Sequence, residues 1–216
     1  CIMKKFISFF LCLIVLFNVC SFTASADPFN YDEVPQISTK DVFEQKKNDY
    51  YVYYYMENCP FCNQVKEKML NFAKKGKNIY FVDYGIAENR CKSYDWEAAM
   101  KKYNKLVGKS DKNGNIEFFA GESKEKYVGL KNIYGKEMRF SFDIVTEDNI
   151  YQFQGYHVGD VVANVQTPEI DYYNITSPEQ MVIAGVPVLF HIVNGRITYF
   201  YFDTPEIEVF LNGLNI

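Results

Sequence analysis

Residues 50–56, Tyr-Tyr-Val-Tyr-Tyr-Tyr-Met, are aromatic and β-branched on both alternating faces. Such a run reads as a strand covered on both sides and therefore central in its sheet. The pattern then turns helical over 60–75, where Phe61, Val65, Met69 and Phe72 recur at i, i+4, i+8 and i+11 as one apolar stripe. Gly76 supplies the stop. A second buried strand follows at 79–84. Strand, helix and strand within about 35 residues fit a right-handed parallel crossover.

The strand-to-helix junction is Cys59-Pro60-Phe61-Cys62. Pro60 suits the first helical turn, where its missing N–H costs nothing. The helix N-terminus offers unbonded N–H groups and a partial positive charge, and both favour a thiolate at Cys59. Cys62 faces the same end one turn later, placed to attack a mixed disulfide on Cys59. Two other readings of the pair remain open on spacing alone. A zinc site would combine Cys59, Cys62 and Cys91 with His157 or His191, but the second half of a zinc spacing pattern is absent. A structural staple across so short a loop would restrain the unfolded chain little.

The rest of the chain divides around this unit. Residues 27–49 read as an extended leader with Pro28 and Pro35, then a short helix at 42–47 behind a capping-box variant of Ser38 and Asp41. Residues 88–176 break the strand–helix pattern and form an insertion far longer than a simple connection needs. Within it, 93–107 is predicted helical through Trp96, Met100, Tyr103 and Val107. Asp111-Lys112-Asn113-Gly114-Asn115 is a hairpin turn, since Gly114 is misplaced for a calcium loop and no bidentate Glu follows at the right distance. Alternation of Met138, Phe140, Phe142 and Ile144 predicts one strand; Tyr151, Phe153 and Val158 suggest another. Residues 177–216 return to order: a short helix at Ser177-Pro178-Glu179, strands at 188–193 and 196–202 joined by Asn194-Gly195, and a last helix capped by Thr204-Pro205-Glu206.

Residues 1–26 have the form of an export signal: Lys4 and Lys5, an apolar run over 6–19, and Ala24-Ser25-Ala26 before Asp27. The run is short for a membrane span, so a membrane association is expected only if the signal stays uncleaved. Without it the chain carries 21 basic and 27 acidic residues, a net charge of −6, with no basic patch for a nucleic-acid partner. Three of the six cysteines lie in the signal region, leaving Cys59, Cys62 and Cys91. One close pair and one leftover are not a disulfide framework, and export would place the pair in an oxidising or contested redox compartment.

Strand, CPFC, helix and strand, followed by a distant GVPVLFHIVNGRI, resemble the thioredoxin superfamily. The likeness covers 50–84 and 177–216. It implies an α/β thioredoxin fold, a central mixed sheet flanked by helices, with a mixed α and β insertion before a cis-proline loop at Val186-Pro187. It implies that Cys59 and Cys62 are the catalytic dithiol, and that Val186, Pro187, Pro60 and Phe61 contact substrate. Thioredoxins proper usually place Trp before the first cysteine and Gly-Pro between the two; here stand Asn58 and Pro60-Phe61. Where family members bury an acid beneath the dithiol, this strand has Tyr53. Pro first in the dipeptide and Val before the cis-proline look closer to glutaredoxins and to DsbA-like exported oxidoreductases, although no glutathione site is evident. The superfamily spans about −270 to −120 mV, which leaves the direction of electron flow open.

The expected activity is thiol–disulfide exchange on protein substrates outside the cytoplasm, with no bound cofactor or metal and with electrons passing to or from an unidentified redox partner. The competing expectation is a binding or accessory module that keeps the fold and handles a soft metal such as Cu(I) or one secreted partner. Cys91 is expected to be a small buried residue, His191 a sheet-face histidine, and Glu57 an exposed loop acid.

Overall fold

The computed structural model describes residues 30–215. In chain order its strands and helices are β1 (Asp49–Tyr55), α1 (Pro60–Lys74), β2 (Ile79–Asp83), β3 (Lys92–Ser93), α2 (Trp96–Tyr103), β4 (Lys105–Ser110), β5 (Ile116–Phe118), β6 (Phe140–Ile144), β7 (Asp160–Val165), β8 (Val182–Ile183), β9 (Val188–Val193), β10 (Arg196–Phe202) and α3 (Asp203–Gly213). The architecture is α/β with mixed sheets.

The tyrosine-rich strand is central, as its two apolar faces require. The main sheet runs β10-β9-β1-β2. β1 is parallel to β2, with Tyr51 opposite Ile79 and Tyr55 opposite Asp83, and antiparallel to β9. α1 makes the crossover between the parallel pair, and Gly76, at φ +76°, takes the left-handed conformation that ends it. The β9–β10 hairpin turns at Asn194 and Gly195, whose φ values of +50° and +72° are those a two-residue primed turn demands.

Side-chain alternation along β1 separates two unlike environments. Tyr51 packs against Phe72 of α1 and Phe210 of α3, so the helices cover this face. Tyr50, Val52 and Tyr54 point the other way, into a core with Phe190, Phe200 and Ile192. Among the described residues no long helix covers that side. Irregular chain does so instead, with Tyr172 set against the rings of Phe190 and Phe200 at 4.9 and 4.6 Å.

The insertion builds a second, antiparallel sheet in the order β5-β4-β7-β6. Its interior centres on Val107, Val161 and Ala163, with Phe118, Phe140 and Phe142 packed around them. Gly108 allows β5 to lie close: a Cβ there would sit 2.3 Å from the Glu117 carbonyl oxygen. A two-stranded parallel pair, β3 with β8, ties the start of the insertion to the segment before Val186.

Several local expectations change. The helix at 42–47 does not form; a single 3-10 turn at Thr39–Asp41 stands there. Ser38 Oγ donates to the Asp41 carboxylate at 2.7 Å instead of capping the backbone, and the Tyr50 hydroxyl takes the Val42 carbonyl at 2.8 Å. The helix predicted over 93–107 is confined to α2. Asn104 breaks it with ψ 141° and bridges to β7, accepting from Val165 N–H at 2.9 Å, so 105–110 pair as β4. The expected strand through Tyr151 and Phe153 is a 3-10 turn, Ile150–Gln152, followed by Gly155 and Gly159 at positive φ, and pairing begins only at Asp160. The helix after Ser177 is one 3-10 turn, Pro178–Gln180. The Asp111 loop is the anticipated hairpin turn, its carboxylate accepting from the amides of Asn113 and Asn115 at 2.8 Å. The proposed signal, residues 1–26, lies outside the described residues.

Candidate active site

β1 ends at Tyr55 and α1 begins at Pro60, so the dithiol sits where a central strand delivers the chain to a helix start. Cys59 is the N-cap residue of α1, at φ −85° and ψ 118°, and its sulfur accepts the Cys62 amide at 3.2 Å. This is the N-cap interaction made by a sulfur instead of an oxygen: one orphan helix N–H is satisfied, and its dipole points at the Cys59 sulfur. The Cys59 thiol donates to the carbonyl of Val186 at 3.5 Å. The dithiol and the Val186-Pro187 loop, 127 residues apart in sequence, thus meet directly.

The Val186–Pro187 peptide bond is cis. The Pro187 carbonyl accepts from Asp203 N–H at 2.9 Å, which links the loop to the start of α3. The first turn of α3 reaches the other side of the site as well: Thr204 Oγ1 donates to the Phe61 carbonyl at 2.9 Å. Thr204 therefore fixes the CPFC turn and does not cap its own helix. Glu206 takes over the capping role by accepting Phe202 N–H at 3.0 Å.

Burial distinguishes the two cysteines. Cys59 lies at the margin, 9% exposed, whereas Cys62 is 0% exposed. Burial pushes the Cys62 thiol well above the ordinary range, and its hydrogen-bonded neighbour Cys59 pushes it further in the same direction. Cys62 is therefore a protonated thiol in the resting reduced protein. Pro60 and Phe61 are on the surface, Phe61 with 55% exposure, so Phe61 leaves the apolar stripe. Cys62, Val65, Met69, Leu70 and Phe72 make the buried face of α1 instead.

The insertion touches the same loop. Trp96 Nε1 donates to the Ala184 carbonyl at 2.7 Å, and its ring packs on Phe202. Buried Lys136 donates to Glu206 at 2.6 Å and to the Phe200 carbonyl at 3.0 Å, while Arg139 reaches Glu206 at 3.3 Å. None of Trp96, Lys136, Arg139 or Thr204 stands near Cys59 in sequence. The capping-type Thr204-Pro205-Glu206 motif was the one available signal, and it pointed to helix initiation only.

The zinc ligands weighed on sequence are not brought together. Cys91 lies on the opposite side of the main sheet, packed against the core that holds Tyr50 and Tyr54. Burial raises its thiol, which donates to the Asn89 carbonyl at 3.6 Å. His157 is exposed in the insertion, and its amide donates to Asp160. His191 lies on a sheet face, stacked on Tyr51 at 4.5 Å, with Nε2 2.8 Å from Asp49. Among the described residues no three His, Cys, Asp or Glu side chains form a metal-binding group. Glu57 is an exposed acid. A cavity of about 640 Å³ beside α2, lined by Met100, Lys101, Tyr151 and Tyr156, includes neither dithiol cysteine.

Chemically, the arrangement offers a sulfur at the margin of the core and at a helix N-terminus, a fully buried thiol one turn behind it, and a backbone carbonyl in contact with the first sulfur. No family model matches this chain, and neither a curated protein nor a solved structure matches it.

Proposed function

We propose that this protein is a thiol–disulfide oxidoreductase of the thioredoxin type, acting on protein substrates outside the cytoplasm. The observation that carries the reading is the Cys59 sulfur, which receives the Cys62 amide while facing the Val186 carbonyl. The sheet order β10-β9-β1-β2, with α1 and α3 against one face, supports a thioredoxin fold into which residues 88–176 are inserted.

In the reductive direction, the Cys59 thiolate attacks one sulfur of a substrate disulfide. A Cys59–substrate S–S bond forms, the substrate S–S bond breaks, and the first substrate thiolate takes a proton. Cys62 then loses its proton and attacks the Cys59 sulfur. The intramolecular disulfide forms, the mixed disulfide breaks, and the second substrate thiolate is protonated. The substrate gains two electrons and the dithiol loses them. Run backwards, the same steps oxidise a substrate dithiol. Val186 and Pro187 would hold the substrate chain extended beside Cys59, with Pro60 and Phe61 as the outer contacts. A second redox protein would restore the starting state.

The test is disulfide exchange with a model peptide. Cys59→Ser is expected to lose the activity, and Cys62→Ser to accumulate mixed disulfides visible by mass. Full activity in Cys59→Ser sinks the proposal. A metal-dependent mass shift, for instance with Cu(I), in a protein without exchange activity would favour the metal-handling alternative. The reduction potential of the Cys59–Cys62 pair then decides between oxidase and reductase.

A further inference from the structure

Resolution of a mixed disulfide makes one severe demand on Cys62. Its thiol must ionise at a point with no solvent exposure before it can attack the Cys59 sulfur. A lone thiolate in such surroundings is costly unless hydrogen-bond donors face it. The backbone amides of Met56 and of Cys62 itself favour the thiolate, but burial and Cys59 outweigh them.

Two hydroxyl donors that interact electrostatically with this sulfur lack a well-formed hydrogen bond. The hydroxyls of Tyr31 and Tyr53 are buried without a hydrogen-bond partner, a condition shared among the described residues only by one Asn132 nitrogen. Buried polar atoms are nearly always paired, so such groups call for a reason. Tyr53 projects from β1 on the side α1 covers, and Tyr31 stacks on Tyr55 at 3.8 Å beside Phe81. The two hydroxyls interact weakly with each other, short of good hydrogen-bond geometry, and each is close enough to Cys62 and Cys59 to feel a charge on either sulfur. Burial holds both phenols well above the ordinary tyrosine range, so they remain O–H donors. Elsewhere on the same strand pairing is the rule: Tyr50 donates to the Val42 carbonyl at 2.8 Å and Tyr54 to Thr39 Oγ1 at 3.3 Å.

We propose that the Tyr31 and Tyr53 hydroxyls are held unbonded in the reduced resting protein so that they can donate to the Cys62 thiolate as it resolves the mixed disulfide. The inference rests on the dithiol reading above. The bonds made and broken are those of the resolving step, in which the proton of Cys62 ends on the departing substrate sulfur. The phenols keep their own protons. The charged and titratable groups around the sulfur are Cys59 from the start of α1, Tyr53 from β1 and Tyr31 from the segment before it. Tyr55 lies behind Tyr31, and Lys66 of α1 lies 5.0 Å from the Tyr31 ring.

The experiment follows reduced protein in a Cys91→Ser background, rapidly mixed with a chromogenic aryl disulfide. The first equivalent of aryl thiolate reports attack by Cys59, and the second reports displacement by Cys62. Tyr53→Phe is expected to slow the second phase about tenfold, as loss of a bond to a charged group implies, and to move its pH midpoint upward. Tyr31→Phe is expected to do the same more weakly. The first phase and the melting temperature stay at the parent values. Both variants resolving at the parent rate with the parent midpoint overturn the inference. So does a lowered melting temperature with an unchanged second phase, because the oxygens then serve packing. Should Tyr53→Phe not fold, Tyr31→Phe carries the same readout. A parent protein with no second phase, indistinguishable from Cys62→Ser, refutes the dithiol reading itself.

Discussion

The two faces of β1 carry the same residue type and treat it differently. On one face Tyr50 and Tyr54 end in hydrogen bonds, Tyr172 behind them donates to the Val182 carbonyl at 2.7 Å, and Cys91 donates to the Asn89 carbonyl at 3.6 Å. On the other face Tyr53 and its neighbour Tyr31 leave their hydroxyls without partners, and the nearby cysteine is Cys62. A saturated polar core specifies one packing; an unsaturated one keeps donors available for a charge that appears later. Alternation along a single strand thus separates a face whose polar groups are paired from the face that lies against the dithiol.

That contrast can be broken most decisively at the cysteines. Cys59→Ser should take peptide disulfide exchange to background, whereas Cys91→Ser should leave the exchange rate unchanged; loss of exchange in Cys91→Ser would erase the distinction between the faces. Next in size is the saturated core. Phe190→Ala removes the ring that meets Tyr54 and Tyr172, and is expected to cost about 3–5 kcal/mol in denaturant unfolding, while the folded fraction keeps its exchange rate.

Alkaline pH probes the thiols. Because burial raises Cys62 above its ordinary value of 9.0, the unfolded chain releases that proton first, and stability present below pH 9 is lost as pH rises. The slope for this group should approach about 1.4 kcal/mol per pH unit once pH is a unit or more above 9.0, with Cys91 adding in the same direction. Oxidising the pair removes the Cys62 contribution, so urea unfolding of the oxidised form should show a shallower decline. An identical slope in both forms would contradict the placement of Cys62.

The smallest difference lies between two single-oxygen deletions. Tyr50→Phe should cost about 1 kcal/mol, as it leaves the Val42 carbonyl without its donor. Tyr53→Phe should cost nothing or stabilise slightly, since its oxygen has no partner to lose. Equal costs would mean that the two faces do not differ in the way described.

Much of this was legible in the sequence where the determinants are local. The both-sided apolar run placed β1 at the sheet centre, Gly76 ended α1, and Asn194-Gly195 turned the β9–β10 hairpin, since each depends on residues within a few positions. The position of Tyr53 could be read, but not its companion. Tyr31 sits in a stretch read as an extended leader, and only the folded chain stacks it on Tyr55. Phe61 looked like a core residue by period alone, yet the first turn of α1 tips it outward and turns Cys62 in. The insertion was read least well. Residues 105–110 have helical spacing, but pairing with β7, some 50 residues later, outweighs a weak local preference. Thr204 likewise carried a capping signature and is used across the site, on the Phe61 carbonyl.

The indole of Trp96 has a consequence of its own. The chain contains one tryptophan, and its N–H is fastened to the carbonyl of Ala184, two positions before Val186. Intrinsic fluorescence from this protein therefore has a single address, and that address is the loop beside the dithiol. A shift in emission on oxidation or on peptide addition would be a label-free optical record of events at that loop, and quenching experiments would show whether the indole loosens its hold as substrate arrives.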